Sequence, residues 1–451
     1  LLPVGTLEGI DAAVELLLAH RAAGHKVLVV GDFDADGATS SVLIVRALRA
    51  WGFADVDFLV PNRFEFGYGL TPEIVALGAA RAPTLIVTVD NGGASVAGVA
   101  AARARGIDVL VTDHHLPGAE LPAANVMVNP NLPGSRFGSR ALAGVGVAFY
   151  VMVALKRALD SAGLVAPSAP APAEWLDLVA LGTVADVVPL DFNNRVLVAQ
   201  GLARIRAGRC VPGIRALLEI ARRDRADLTA SDLGFAIAPR LNAAGRLDDM
   251  SIGIRCLLAD REVEARSLAA RLDQLNVERR AIEGQMQVQA LAAVRHLGPI
   301  ATPGARQRSG VCLFDATWHQ GVVGLVASRI KERLRRPVVA FAHGGDGLLR
   351  GSARSVAGVH VRDVLENIAA RHPGLIVRFG GHAMAAGLTL AHEQLDAFAA
   401  AFDAEVAGWL GANADRDRLD TDGELAVDDI CLATAEALRA GGPWGAAFPE
   451  P

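Results

Sequence analysis

Short runs of Val, Ile and Leu alternate, over the first 130 residues, with longer segments whose apolar positions recur at helical spacing. The runs "KVLVVG" (26–31), "VDFLVP" (56–61), "LIVTVD" (85–90), "DVLVTD" (108–113) and "VMVN" (126–129) predict strands. Ala-rich stretches such as Ser40 to Trp51 and Ser95 to Arg105 predict helices between them. Nearly continuous apolar strands spaced by helices predict an α/β fold with a parallel sheet covered on both faces.

Further along, the fifteen apolar residues from Ala141 to Leu155 end at Lys156. A membrane span needs about 20 such residues, so the run predicts a buried helix. "LVAPSAPAPAEW" (164–175) predicts an exposed loop. From Asp260 to Leu297 a proline-free helical pattern places Leu268, Leu272, Leu275, Ile282 and Met286 on one apolar face, with charges opposite. After the loop at 298–310, "VCLFDA" (311–316) and "PVVAFA" (337–342) open a second α/β pattern. The expected organisation is a catalytic domain over 1–215, a helical connector with a long bridging helix over 216–297, and a second domain over 298–410. A final segment covers 411–451.

Composition narrows the picture modestly. With 451 residues and 52% hydrophobic content, the chain can bury two or three cores. A net charge of −5 gives no global polyanion-binding signature, although acidic metal enzymes bind polyanions through local patches. Cys210, Cys256, Cys312 and Cys431 form no CxxC pair, which argues against a disulfide framework or structural zinc and for a cytoplasmic setting. No signal pattern precedes the first helix, and no membrane association is expected. The chain opens on Leu1 and stops on the turn-forming "GGPWGAAFPEP", which reads as a piece of a longer protein.

The chemistry starts in "VVGDFDADGATS" (29–40). An EF-hand loop from Asp32 would need a carboxylate at its twelfth position, where Leu43 stands, and a helix rather than a strand before it. A phosphatase loop with Asp34 as nucleophile and Asp36 as acid/base fits locally, but leaves the other acidic strand ends unexplained. Helix capping explains one or two of these aspartates. Three in alternation repel one another unless cations lie between them.

Asp90 ends the third strand and Asp113-His114-His115 ends the fourth, so three strand ends deliver carboxylates and imidazoles to one rim, where open α/β sheets bind ligands. Asp186, in "ADVVPL", gains meaning from that company. Carboxylates mixed with imidazole suit Mn²⁺, or Mg²⁺ with help, rather than the thiolate-rich pattern of structural zinc. Two such ions, typically ~3.5–4 Å apart, clamp an in-line displacement at phosphorus.

The order "DFDADG", "VDNG", "DHH" and "ADVVPL" resembles the DHH phosphoesterase superfamily. "NRFEFGYGL" (62–70), "LAGVGVAFY" (142–150), "PRLNAAGR" (239–246), "WHQGVVGLVASRIKERLRRP" (318–337), "GSARS" (351–355) and "FGGHAMAAG" (379–387) narrow the resemblance. They point to that superfamily's bacterial single-strand-specific DNA exonucleases, which degrade from the 5′ end in repair and recombination.

The resemblance implies an N-terminal DHH domain, a long connecting helix and a C-terminal α/β DHH-associated domain. It also implies two Mn²⁺ or Mg²⁺ ions held by Asp34, Asp36, Asp90, His114 and Asp186, with Asp32 a further ligand or a close neighbour of the ligands. Asp113 is expected to orient His114, and His115 to contact the scissile phosphate. Arg354 and Ser352 are expected to grip a 5′ end, helped by Arg350 and Arg63. His319, His382, Gly380 and Gly381 are expected on the substrate side.

Expected partners are single-stranded DNA with a 5′ end and repair proteins such as a helicase or a single-strand-binding protein. Segment 411–451 is expected to lead toward an OB-fold outside this chain. Two rivals share parts of the pattern: a small-molecule or oligonucleotide phosphoesterase of the superfamily, and a non-catalytic DHH-type binding protein.

Overall fold

A computed structural model of the chain describes residues 1–66, 69–118, 120–296, 308–410 and 421–451, leaving out the side chains at 63, 64, 295 and 296. It contains two compact units, Leu1–Asn276 with Asp422–Pro451, and Val277–Thr421. Among the described residues no helix is long and apolar enough to cross a membrane.

In the first unit, five parallel strands stand in the order β2-β1-β3-β4-β5: β1 (Lys26–Gly31), β2 (Asp55–Leu59), β3 (Leu85–Val89), β4 (Asp108–Thr112) and β5 (Val126–Val128). Strand pleating sends alternate residues to opposite faces. Val27, Val29, Leu85 and Val87 therefore join the layer built on helices Ala35–Ala50, Gly144–Ser161 and Leu176–Ala185. Leu28, Val30, Ile86 and Val109 join the layer under helices Pro72–Ala79 and Val96–Arg103. Two buried faces explain why the strands read as continuous apolar runs.

From β1 the chain moves outward to β2, then returns to the other side of β1 to form β3. That reversal leaves a crevice beyond the carboxyl ends of β1 and β3, the place where such sheets take ligands. The helix after β1 starts at Ala35, five residues before the expected Ser40. Asp34 is its cap, its Oδ1 accepting from the amides of Asp36 (2.9 Å) and Gly37 (3.0 Å).

Residues 216–276 share the first unit's core rather than standing apart, and the division between units falls inside the long helix Glu262–His296. Leu272, Leu275 and Met286 are buried as expected, while Leu268 and Ile282 are half-buried. The stripe is also more polar than its pattern promised. Arg279 and Glu283 are buried as an ion pair one turn apart, and Glu283 also meets Arg329 at 3.3 Å.

The second unit carries a mixed sheet, β6-β7-β8-β10-β9, formed by β6 (Val311–Phe314), β7 (Val338–Gly345), β8 (Leu348–Arg354), β9 (Arg378–Gly381) and β10 (Ala385–Ala391). Only β6 and β7 run parallel. Phe341, Leu349, Ala353 and Leu388 face helices Val361–Arg371 and Leu395–Leu410, where Phe398 and Phe402 complete the core.

Candidate metal centre

Every acidic motif residue of the first unit reaches the crevice at the β1 and β3 ends. His114, following β4, points Nε2 at three carboxylates: Asp90 Oδ1 at 3.0 Å, Asp186 Oδ2 at 3.5 Å and Asp36 Oδ2 at 4.0 Å. Among the described residues, three trios have candidate ligand atoms within 4.8 Å of one another: Asp36-His114-Asp186, Asp90-His114-His115 and Asp32-Asp34-Asp90. Asp90 belongs to two of them and so sits where two ions could share a ligand. Asp32, assigned ambiguously from the sequence, is buried and grouped with Asp34 and Asp90.

Backbone amides hold the Asp36 carboxylate in place. Both Asp36 oxygens accept amide hydrogens from the first turn of helix Gly144–Ser161, Oδ2 from Gly144 (2.6 Å) and Oδ1 from Val145 (2.9 Å). A helix N-terminus is a natural anchor for an anion. Gly144 also permits the approach, because a Cβ there would stand 2.6 Å from the Asp90 Cβ. Asp186 arrives differently, at the C-terminal end of helix Leu176–Ala185.

Two residues of this rim adopt left-handed backbone, Asp90 with φ 60° and Val187 with φ 61°. For a β-branched residue such as Val187 that conformation is costly, and it persists only where the surroundings over-determine it.

Crowding shows in the ionisation of the cluster. Burial, then the charge of Asp34, pushes the Asp36 carboxyl up to about 7 against its two amide donors. Burial and the neighbouring carboxylates, Asp36 first, hold Asp90 and Asp186 well above the usual carboxylate range. Divalent charge between these groups would relieve that repulsion. Oxygen donors joined by imidazole nitrogen, without thiolate, suit Mn²⁺ or Mg²⁺. The residues present therefore fit such ions.

The DHH segment is braced as a unit. Asp113 was expected to orient the His114 ring; the ring it hydrogen-bonds is that of His115, Nδ1 to Oδ1 at 2.8 Å. It meets His114 through the backbone amide (2.7 Å) and takes the Gly93 amide on Oδ2 (2.7 Å). Burial disfavours charge on His115, but the Asp113 bond and charge, with Asp186 and Asp32 behind it, override burial and push the imidazole up to about 9. On Asp113 burial is likewise outweighed, by His115 first, and its carboxyl lies below the usual range.

Several supporting residues carried no role in the sequence reading. Asn129 and Asn131 donate through Nδ2 to the carbonyls of His115 (2.9 Å) and His114 (2.6 Å). Asn242 accepts the Ala35 amide at 2.7 Å, beside the capping Asp34, and Gly245 brings its helix against the Phe33 carbonyl. "PRLNAAGR" is therefore a buttress for the aspartate loop. The signal was present, as a helix-patterned motif with Asn and Gly at interior positions.

The remaining expected site residues lie in the second unit, except Arg63, whose side chain is outside the described ones. Arg350, Ser352 and Arg354 alternate along β8 and so share one face. Ser352 stands opposite Gly387 of β10, which in turn stands opposite Gly380 of β9. A Cβ on Gly380 or Gly387 would meet nothing within 4 Å, so the floor beside Ser352 is open. Gly381 takes φ 147°, a conformation that favours glycine.

Arg354 donates to Ser352 Oγ (2.9 Å), and both lie against Gly324 in the first turn of helix Val323–Leu334. His319 occupies the turn before that helix, its Nδ1 accepting the Gly321 amide at 3.1 Å. His382 lies in the turn joining β9 to β10.

Residues 26–183 match the DHH family, N-terminal domain, and residues 307–408 the DHHA1 domain. Single-stranded-DNA-specific exonuclease RecJ of Dickeya dadantii is 57% identical over 100% of this chain and 78% of its own length. The chain belongs to the RecJ family. RecJ of Escherichia coli is 54% identical over the same shares. The crystal structure of Thermus thermophilus RecJ in complex with Mn²⁺ matches with a TM-score of 0.82 at 34% identity, covering 99% of this chain and 61% of that one. A second RecJ structure, bound to manganese, matches with a TM-score of 0.73 at 37% identity, covering 89% and 95%.

Proposed function

We propose that the chain is a metal-dependent exonuclease that hydrolyses phosphodiester bonds of single-stranded DNA from the 5′ end. The observation that carries this reading is the convergence of His114 Nε2 with the carboxylates of Asp36, Asp90 and Asp186 at the sheet's reversal point. The RecJ relatives, single-stranded-DNA-specific exonucleases by name, support the substrate class.

In this reading Asp34, Asp36, Asp90, His114 and Asp186 hold two divalent ions, with Asp32 as a further ligand beside Asp34 and Asp90. Bound there, Mn²⁺ or Mg²⁺ supplies Lewis acidity at the scissile phosphate. The chain's own groups do the rest. The amides of Gly144 and Val145 fix the Asp36 carboxylate before substrate arrives. Asp113 fixes the His115 ring through Nδ1, so that the imidazole is oriented to contact a phosphate oxygen. The Asn129 and Asn131 amides keep the two-histidine turn from shifting.

In the second unit, Arg354 supplies a planar fork and Ser352 a hydroxyl on an open, glycine-floored sheet face next to a helix N-terminus. That combination suits a terminal phosphate, and it is the basis we offer for a 5′ end as the point of attack. Arg350 shares the face, and His319 and His382, in the turns before helix Val323–Leu334 and between β9 and β10, are assigned to the same substrate side. A helicase or single-strand-binding protein would supply or present such strands.

The test is degradation of 5′-phosphorylated single strands, blunt duplex and dinucleotides by the purified chain with Mn²⁺. The expected result is metal-dependent release of nucleotides from single strands, lost in Asp90→Ala. Equal rates on blunt duplex, dinucleotides cleaved in preference to long strands, or full turnover in the variant would overturn the reading.

A further inference from the structure

The stretch Trp444–Phe448, far from the metal motifs in sequence, closes on the loop that carries Asp186. It forms a tight turn in which Gly445 and Phe448 exchange backbone bonds, amide to carbonyl at 2.8 and 3.0 Å. The turn presents the Ala446 carbonyl to the Leu190 amide at 2.7 Å. Its Phe448 ring has the Arg195 guanidinium 3.9 Å from its centroid. The same ring stacks on Trp444 at 4.9 Å. Leu190 and Arg195 flank Asp191, the cap of helix Phe192–Arg206, so the turn grips both arms of the corner that follows Asp186.

That corner needs gripping. Val187, directly after Asp186, holds left-handed backbone that a β-branched residue leaves readily. Upstream, the Asp186 amide remains tied to the Gly182 carbonyl (2.9 Å). Downstream, Asn194 Nδ2 holds the Pro189 carbonyl (3.0 Å) and Ser139 holds Asp191 (2.6 Å). The Leu190 amide is satisfied from the distant turn. Were that bond released, the backbone between Asp186 and Asp191 could relax at Val187, carrying the Asp186 carboxylate away from His114.

We propose that Trp444–Phe448 is a positioning element for Asp186, setting the metal affinity of the centre through Leu190 and Arg195. The inference rests on the metal reading given above. It predicts that the stack can be weakened without touching a ligand, and that the loss appears first in ion binding, since groups that orient ligands typically contribute roughly tenfold to a hundredfold in affinity.

The experiment is titration of the full chain with Mn²⁺, reading free ion by electron paramagnetic resonance. Phe448→Ala and Arg195→Ala are each expected to weaken Mn²⁺ binding roughly tenfold, and Phe448→Tyr to restore it to within about twofold, while Asp186→Asn sets the scale for a lost ligand. The melting temperature of the metal-free variants, compared with the parent, separates ion affinity from general destabilisation. Mn²⁺ affinity unchanged in both alanine variants, or a loss that Phe448→Tyr does not restore, overturns the inference. A parent chain that binds no Mn²⁺ overturns the metal reading itself, so the two failures are distinguishable.

Discussion

His114 and Asp90 meet with imidazole Nε2 3.0 Å from carboxylate Oδ1, although each belongs to a different strand end. The contact exists because β3 and β4 are parallel neighbours in register, Val89 opposite Thr112, so the residues that follow them leave the sheet side by side. Asp36 and Asp186 are then brought to the same nitrogen by two helices, one offering its N-terminal amides and the other its C-terminal end. The site is thus an outcome of topology: a sheet whose order reverses at β1 and β3 concentrates whatever its loops carry at that point.

Asn242 links the middle helices to the aspartate loop through one hydrogen bond to the Ala35 amide. Asn242→Ala leaves that buried donor unsatisfied and is expected to cost roughly 1–3 kcal/mol of stability. It should also weaken Mn²⁺-dependent hydrolysis, because Asp34 caps the same turn. Denaturant unfolding and single-strand turnover measure the two effects; loss of activity with stability untouched would assign Asn242 to the substrate instead.

Arg354 tests the second unit's sheet face. Replacement by Lys keeps the charge but removes the fork, and KM for a 5′-phosphorylated single strand is expected to rise roughly tenfold, the worth of one charge-assisted contact, with kcat nearly unchanged. A 5′-hydroxyl strand should respond much less. Identical responses for the two strands would remove Arg354 from the terminal-phosphate site.

Asp177 provides a pH signature away from the ligands. Burial pushes its carboxyl up to about 6, against hydrogen bonds from the Val211 and Leu178 amides. The unfolded chain releases this proton near the ordinary value of 3.8. Between those values the folded protein binds more protons, so stability falls as pH rises. The penalty is absent below about pH 4 and complete above about pH 6, amounting to roughly 3 kcal/mol. Asp177→Asn should therefore gain stability relative to the parent across that window. Parallel unfolding curves from pH 4 to 7 would contradict this.

Much of this arrangement was legible in the residues. The three central strands of the first sheet were visible because both their faces are buried, which makes β1, β3 and β4 nearly plain apolar runs. The acidic strand ends were visible because their residue types are rare at such positions. What a linear reading missed was support by distant backbone. Nothing local to Gly144 says that its amide will hold Asp36, and nothing local to Asn242 says that it will meet Ala35. Asp113 was paired with the wrong ring because adjacency alone does not reveal which imidazole turns toward it. Arg279 and Glu283 look like surface charges in the pattern, yet each is buried because the other neutralises it.

The most direct test of the metal account is anomalous scattering from crystals of the chain soaked in Mn²⁺. Two peaks roughly 3.5–4 Å apart are expected, ligated by Asp34, Asp36, Asp90, His114 and Asp186, with Asp90 contacting both. An absence of Mn²⁺ at these residues in a catalytically active crystal form, or ions held elsewhere, would contradict it.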